Sequence, residues 1–196
     1  WTAAEVATAR ARFRAEVDAE RPGILPIAEA IQAALPPDTM YFSDMTQFAY
    51  VANEALDLPA PGLWHHPWGY GTLGYALPAA IGAKAGLPKR PVVAIAGDYG
   101  FQYTIQELGT AVELDLPLPI LVWDNGKLKE IEESMQRSQI APNAVIARNP
   151  DFIALARAWG CHTAAPQSLE DLRAALRQAL LADGPTVIHM TPALVS

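Results

Sequence analysis

Cysteine, long apolar runs and excess positive charge are scarce in this chain of 196 residues. The single cysteine, Cys161, cannot form an internal disulfide or complete a cysteine metal motif, so we interpret it as a packing residue. No run of about 18 apolar residues is present that would cross a membrane. Lysine and arginine number 14 against 21 acidic residues, and the net charge of −7 argues against a nucleic-acid surface. We therefore expect a cytoplasmic protein with neither membrane nor nucleic acid as partner.

Two short apolar runs flank a helical pattern in the middle of the chain. Residues 92–96 and 118–123 have the length and composition of strands buried on both faces of a parallel sheet. Between them, residues 104–113 carry apolar side chains at helical spacing, which predicts a strand, helix, strand unit with parallel strands. Asp98 and Asn125 lie just past the ends of these strands, at the edge where open α/β sheets bind ligands.

The polar residues at this edge have the chemistry of a magnesium site that holds a phosphorylated ligand. The carboxylate of Asp98 and the amide oxygen of Asn125 suit Mg²⁺ better than Zn²⁺ or a redox metal. Gly97 and Gly100 allow close approach of the backbone, and the amides of Tyr99 and Gly100 begin the next helix, where N–H groups attract phosphate. Each feature alone also fits a helix cap at Asp98 or an ordinary turn after Asn125. Their occurrence together, at equivalent positions, favours a site.

The rest of the chain predicts further elements of an α/β fold. Asp44 and Thr46 lie where the helix at residues 46–55 begins, and their residue types make them its capping residues. Residues 137–149 lack periodicity and are interpreted as a loop that orders on ligand binding, and His189 as a core histidine. Helices are predicted at residues 3–20, 24–35, 46–55, 75–85, 151–159 and 169–181, and further strands at residues 39–43, 161–164 and 186–190.

Residues 69–74 match G-x-G-x-x-G, the fingerprint of dinucleotide-binding sites. That fingerprint requires a preceding buried strand, and residues 63–68 are a poor candidate because they contain a proline and two adjacent histidines. We therefore reject a nicotinamide site and interpret residues 56–67 as a loop. His65 and His66 cannot both point at one metal from a regular element, so they are expected to pack within that loop.

The motif around Asp98 and Asn125 resembles that of thiamine diphosphate enzymes. G-D-Y-G at residues 97–100, followed by D-N at residues 124–125, is similar to the Gly-Asp-Gly through Asn-Asn motif of that family. Asp98 and Asn125 are 27 positions apart, the spacing of acetolactate synthases and related 2-oxo acid decarboxylases. The similarity extends from about residue 24 to residue 190 and includes the segments at residues 42–47, 69–74 and 183–186.

The resemblance implies a fold and a domain organisation. The fold is expected to be a three-layer α/β/α thiamine diphosphate-binding fold with a mostly parallel central sheet. Residues 21–196 would form the cofactor-binding C-terminal domain of a longer polypeptide that starts upstream of Trp1. Residues 1–20 would form a linker helix from an upstream domain that these 196 residues do not include.

The resemblance also implies thiamine diphosphate and Mg²⁺ as cofactors. The metal ligands carried over are Asp98, Asn125 and the backbone carbonyl of Lys127. The carbonyl of Gly71 would accept a hydrogen bond from the pyrimidine amino group, and Leu73 would be the apolar wedge that bends the cofactor. The implied cofactor-binding residues are Asp44, Met45, Thr46, Gly71, Leu73, Gly97, Tyr99 and Gly100.

Three positions depart from the pattern of the family. Tyr99 stands where the family has a small residue, so its phenol must find room beside the diphosphate or turn outward. Asp124 replaces the first asparagine, which is a mild change if it accepts hydrogen bonds away from the phosphates and a repulsive one if it faces them. Ser134 stands where acetolactate synthases have a tryptophan, which leaves a simple decarboxylase at least as well supported as a carboligase.

The implied activity is decarboxylation of a small 2-oxo acid, or acetolactate synthase-like transfer to a second carbonyl. The catalytic glutamate of the family is expected in the upstream domain of a partner subunit, so the chain alone should be inactive and the whole protein a homodimer or homotetramer. Residues 44–52 and 69–84 resemble guanidino-oxopentanoate decarboxylases. The acidic residues Glu130, Glu132 and Glu133 suit a cationic substrate tail, or simply a solvated helix face. The alternative function is a non-catalytic module for oligomerisation or ligand sensing with a relaxed cofactor site.

Overall fold

A six-stranded, fully parallel sheet forms the centre of the computed structural model, which describes residues 1–195. The strands lie in the order β2-β1-β3-β4-β6-β5. The central strands β3 and β4 are buried along their whole length, as their uninterrupted apolar runs predict. The strands are β1 (Met40–Ser43), β2 (Trp64–His65), β3 (Val92–Gly97), β4 (Pro119–Trp123), β5 (His162–Ala164) and β6 (Thr186–Met190).

Four α-helices begin at a side chain that caps their first turn, and the first of these caps is Thr2. Thr46, Asp151 and Ser168 each accept a hydrogen bond from the amide three residues later. The helices are α1 (Ala3–Glu20), α2 (Ile24–Ala34), α3 (Gln47–Ala55), α4 (Ala76–Gly86), α5 (Asp98–Tyr103), α6 (Leu108–Glu113), α7 (Lys129–Arg137), α8 (Phe152–Ala158) and α9 (Leu169–Ala179), with short 3₁₀ helices at Ile105–Glu107 and Pro192–Val195.

Helices cover both faces of the sheet, which confirms the predicted three-layer α/β/α fold. Successive residues of β3 point to opposite faces, so Val93 and Ile95 enter one core and Val92 and Ala94 the other. The first core includes side chains of α1, α2, α3 and α9, and the second includes side chains of α4, α5, α6 and α8. Cys161 is buried in the second core, as predicted, and burial raises the pKa of its thiol to about 11.

Two predictions of secondary structure are wrong. The segment expected to be a single helix, residues 104–113, is a 3₁₀ turn at Ile105–Glu107 followed by α6. A separate helix, α5, begins at Asp98 directly after β3 and ends at Tyr103. The segment interpreted as a loop contains β2, whose two residues pair with Tyr41 and Phe42 at the edge of the sheet. An edge strand of two residues is not the buried strand that a dinucleotide fingerprint needs, so the rejection of that fingerprint still follows.

The first helix packs against the domain rather than standing apart from it. Val17 is buried, and the Arg14 guanidinium donates to the carbonyl of Ala55 at 2.9 Å and pairs with Glu29. The proposed role of α1 as a linker from an upstream domain stays a prediction. Within residues 1–195, none of the helices combines the length and apolar character needed to span a bilayer.

Asp44 caps a different helix from the one expected. Thr46 alone caps α3, whereas the Asp44 carboxylate accepts from the amide of Gly74 at 2.9 Å and from that of Ala76 at 2.7 Å, at the start of α4. Gly100 packs directly against this carboxylate, since a Cβ at residue 100 would lie far inside van der Waals contact with Asp44 Oδ2. The α5 backbone therefore approaches Asp44 so closely that only glycine fits.

We expect Gly100→Ala to lower the free energy of unfolding by about 2 to 3 kcal/mol, because the added methyl group must displace the bonded carboxylate of Asp44. Gly82→Ala is the matched control. No neighbouring atom lies within 4 Å of a Cβ at residue 82, which is exposed within α4, so the change should be neutral or stabilising by up to about 1 kcal/mol. Chemical denaturation of the chain measures both, and equal effects at the two positions would contradict the role given to Gly100.

Candidate functional site

A cavity of about 270 Å³ opens at the carboxyl edge of the sheet. Its walls include residues that follow β1, β3 and β4 within two positions, namely Met45, Asp98 and Asn125. The chain runs from β1 to β2 on one side and then returns to β3 on the other, so the crevice between β1 and β3 is the topological switch point where ligands of open α/β sheets bind. A second cavity, of about 430 Å³, adjoins the first and shares with it Gln47, Trp123, Asn125, Lys127 and Lys129.

The cavity brings together most of the residues predicted from sequence. The three predicted metal ligands, Asp98, Asn125 and Lys127, all belong to its wall. The predicted cofactor-binding residues in the wall are Met45, Thr46, Gly71, Leu73 and Gly97.

Asp44, Tyr99 and Gly100 do not line the cavity. Asp44 is completely buried with both oxygens bonded to amides, and Gly100 packs against it. The Tyr99 amide donates to the Asp98 carboxylate at 3.0 Å. Contact of these three residues with the cofactor stays a prediction.

Asn149 bridges two carboxylates at this edge. Its amide nitrogen, Nδ2, donates to Oδ2 of Asp98 and to Oδ1 of Asp124, each at 2.7 Å. Its amide oxygen accepts from Gln102 at 3.3 Å, and the second oxygen of Asp124 lies 2.9 Å from Nε2 of His189. One uncharged side chain thus keeps two anionic groups in place beside the cavity.

The two bridged aspartates differ in their pKa. Burial raises the pKa of Asp98 above its ordinary value, in spite of the hydrogen bonds from Asn149 and Tyr99. Burial acts in the same direction on Asp124, but hydrogen bonds from His189, Asn149 and Gly126 outweigh it and hold the pKa of Asp124 below its ordinary value. Asp124 does not line the cavity. Its carboxylate accepts hydrogen bonds from Asn149 and Gly126 and lies beside His189, and its role relative to the phosphates stays a prediction.

The turn after β4 presents Asn125 and Lys127 to the cavity. Asp124 Oδ1 accepts from the amide of Gly126 at 3.1 Å, and Asn125 Oδ1 accepts from that of Lys127 at 3.2 Å. Gly126 has φ of +70°, which favours glycine at this place in the turn. The carbonyl of Gly126 also accepts from Ala147 at 2.9 Å, so the loop predicted to order on binding is attached to this turn by its backbone.

The donors at this edge fit magnesium better than a transition metal. Among the residues that the structure describes, no three His, Cys, Asp or Glu side chains come together as a zinc site would require. Asp98 and Asn125 offer one carboxylate and one amide oxygen to a common cavity. Mg²⁺ characteristically takes few protein ligands of this kind and completes its octahedron with phosphate oxygens and water.

The acidic residues of α7 fall into two groups. Glu132 pairs with Lys127 at 3.0 Å, and Glu133 pairs with Lys129 at 3.1 Å. Glu130 lines the cavity and accepts from the guanidinium of Arg21 at 3.1 Å, although Arg21 lies 109 positions away in the sequence. Of these three acids, Glu130 belongs to the wall of the first cavity, Glu133 to the wall of the adjoining one, and Glu132 to neither.

Sequence reasoning missed Asn149 and Arg21 and placed His189 only in the core. Asn149 lies 51 positions from Asp98, and the sole sign in the sequence is a polar residue directly before a proline and a helix cap. His189 lies on β6, which pairs with β4, and so reaches Asp124 across the sheet. Such contacts depend on strand order, which no local pattern encodes.

Comparison with known proteins agrees with this geometry. Residues 44–190 match the family described as "Thiamine pyrophosphate enzyme, C-terminal TPP binding domain". The "Probable 2-ketoarginine decarboxylase AruI" of Pseudomonas aeruginosa is 48% identical over 185 residues, which are 92% of this chain and 33% of that protein. The acetolactate synthase isozyme 2 large subunit of Escherichia coli is 34% identical over 158 residues, 80% of this chain and 29% of that protein.

A solved structure of a thiamine diphosphate-dependent enzyme also resembles this chain. The thiamine diphosphate-dependent 4-hydroxybenzoylformate decarboxylase of Rhodococcus jostii RHA1 superposes with a TM-score of 0.79 and 28% identity, over 86% of this chain and 32% of that one. The predicted family and its cofactor, thiamine diphosphate, for which Mg²⁺ is the usual partner metal, are thereby confirmed. The chain belongs to the thiamine pyrophosphate enzyme family and is its C-terminal, cofactor-binding domain.

Proposed function

We propose that this domain holds thiamine diphosphate through Mg²⁺ bound by Asp98, Asn125 and the backbone carbonyl of Lys127. The observation that carries the proposal is that these residues follow two neighbouring parallel strands and meet in one cavity with Gly71 and Leu73. The domain has a net charge of −7, so a cation is needed to hold a diphosphate beside its carboxylates.

Asn149 and Asp44 act as supports for this site. Asn149 keeps the Asp98 carboxylate beside the cavity and shares its donor hydrogens with Asp124. Asp44 binds the backbone at Gly74 and Ala76 and so anchors the loop in which Gly71 and Leu73 line the cavity. In this proposal both residues hold the lining of the cavity in place.

The activity that these features support for the whole protein is decarboxylation of a 2-oxo acid that carries a guanidinium group. Thiamine diphosphate supplies the carbanion-stabilising chemistry for the loss of carbon dioxide. The substrate class is favoured by the relative at 48% identity, whose name specifies 2-ketoarginine, and by the acidic Glu130 in the cavity wall. Ser134, in place of the tryptophan expected of acetolactate synthases, favours decarboxylation over carboligation.

The catalytic glutamate and the remaining domains are proposed to come from the rest of the protein, which is proposed to be a cytoplasmic homodimer or homotetramer with the cofactor at the subunit interface. The loop that bears Gly71 supports an interface at this edge, because Trp68 is 65% exposed and Tyr70 is 95% exposed beside the cavity. Aromatic side chains are enriched where protein surfaces meet. The chain spans 33% and 29% of the two relatives described above.

The test is release of carbon dioxide by the full-length protein from pyruvate, branched, aromatic and guanidino 2-oxo acids. Release should require both Mg²⁺ and thiamine diphosphate, and should fall about a thousandfold or more in Asp98→Ala, because the metal loses its only carboxylate ligand. Asp38→Ala is the control, since Asp38 is exposed and precedes β1 at the opposite edge of the sheet.

Calorimetry should show that magnesium-dependent binding of thiamine diphosphate is lost in Asp98→Ala and retained in Asp38→Ala. The 196-residue chain alone should release no carbon dioxide. Turnover by the chain alone would contradict the assignment of the catalytic glutamate to another domain. A folded full-length oligomer that acts on none of the acids would favour the non-catalytic module.

We further expect Asn149→Ala to lower the free energy of unfolding by about 2 kcal/mol, because two carboxylates lose their shared hydrogen-bond donor. Asn149→Asp should be less stable still when no divalent cation is present, since it adds a third carboxylate. Asn143→Ala is the matched control, because Asn143 is an exposed asparagine of the same loop. Chemical denaturation measures all three, and equal stability of the two alanine variants would contradict the bridging role.

A further inference from the structure

The protein binds one of its own guanidinium groups beside the candidate site. Arg21 Nε donates to Oε1 of Glu130 at 3.1 Å, and its guanidinium carbon lies 5.5 Å from the centre of the Tyr50 ring. The Arg21 side chain is 13% exposed. A carboxylate and an aromatic face are the two groups that recognise a planar guanidinium.

Glu130 and Tyr50 face the same cavity as Asp98 and Asn125. Arg21 reaches them from the adjoining cavity, which it lines together with Glu20. Glu130 and Tyr50 thus contact the internal arginine and also line the cavity of the proposed magnesium ligands.

The two lysines of the cavity wall are already paired. Lys127 bonds to Glu132, and Lys129 bonds to Glu133 and lies 3.6 Å from Glu132. These contacts neutralise the two lysines of the wall, so neither lysine competes with an entering cation for Glu130. A substrate guanidinium would compete only with Arg21 for that carboxylate.

The bond between Arg21 and Glu130 is incomplete and therefore exchangeable. Only Nε of Arg21 donates to Glu130, whereas Nη2 lies 3.1 Å from Glu20 and Nη1 is buried without a hydrogen-bond partner among the described residues. A bidentate guanidinium–carboxylate pair is stronger than a single bond of this kind. A ligand that approaches from the cavity can make that better pair.

We propose that Glu130 and Tyr50 form the recognition site for the guanidinium end of the substrate, and that Arg21 occupies this site until the substrate arrives. The inference rests on the proposed function, because it presumes that the reacting end of the 2-oxo acid lies at the cofactor in the same cavity. It assigns substrate choice to this domain through two residues that no motif identifies. Arg21 acts as an internal competitor that lowers the affinity for the guanidinium.

The first test compares 5-guanidino-2-oxopentanoate with 2-oxohexanoate, an uncharged 2-oxo acid, in the full-length enzyme. The ratio of kcat/KM for the two acids should fall roughly 10- to 100-fold in Glu130→Gln, the loss expected for a hydrogen bond to a charged group. Glu170→Gln is the control, because Glu170 likewise pairs with arginines, Arg173 and Arg177, and belongs to the wall of neither cavity. An unchanged ratio in Glu130→Gln would overturn the proposal.

The second test uses Arg21→Met and separates competition from direct binding of the substrate by Arg21. Removal of an internal competitor should lower KM for the guanidino acid about 3- to 10-fold, since a charge-assisted hydrogen bond no longer has to be displaced. If Arg21 instead binds the substrate carboxylate, KM should rise for both acids. That result would overturn the role given to Arg21.

A binding measurement distinguishes failure of this inference from failure of the proposed function. Calorimetry with 2-hydroxy-5-guanidinopentanoate, which has no oxo group to react, should show binding to the full-length protein that weakens in Glu130→Gln and not in Glu170→Gln. Turnover of uncharged acids without this binding would leave the proposed cofactor chemistry intact and overturn the guanidinium site. Binding without turnover of any acid would support the site and contradict the proposed decarboxylase activity.

Discussion

One buried carboxylate joins three segments on which the candidate site depends. Asp44 ends the pairing of β1 with β3 through its own amide, which donates to Ile95, and its side chain accepts from Gly74 and Ala76. The α5 backbone at Gly100 closes over the same carboxylate. Burial raises the pKa of Asp44 above its ordinary value, and the backbone hydrogen bonds oppose that shift. The loop before α4 and the start of α5 are therefore held in one arrangement, and the cavity between them is preformed rather than assembled by its ligand.

The electrostatics of this edge of the sheet depend on the hydrogen-bond partners of its two carboxylates, Asp98 and Asp124. Asp98 and Asp124 lie close enough for Asn149 to donate to both. The charge of Asp124 raises the pKa of Asp98, and the hydrogen bond from Asn149 acts against that rise. Asp124 is further occupied by His189 and by the amide of Gly126. Asp98 is thus the carboxylate of this pair that faces the cavity, and a divalent cation there would complete the balance of charge.

The sequence predicts the parts of this structure that depend on local pattern. The strands of residues 92–96 and 118–123 form, because apolar residues at every position suit burial on both faces, and the polar residues that follow them meet at one edge. Side-chain partners distant in sequence were not predictable, since Arg21 and Glu130 are 109 positions apart. The break between α5 and α6 was not predicted, because the apolar spacing continues across it. Strand β2 was not predicted, because two residues at the edge of a sheet show no periodicity.

The acids along this edge have different partners, so the proposed magnesium site and the proposed guanidinium site use different carboxylates. Asp44 is committed to backbone amides, and Glu132 and Glu133 to lysines. Asp98 and Glu130 are the carboxylates left in the cavity wall, one after a central strand and the other on α7. Because α7 joins the sheet through the turn at residues 124–128, a substitution in that helix can change the surroundings of Glu130 while the hydrogen bonds to Asp98 remain. Under the two proposals, substrate choice and cofactor binding thus depend on different residues of one cavity.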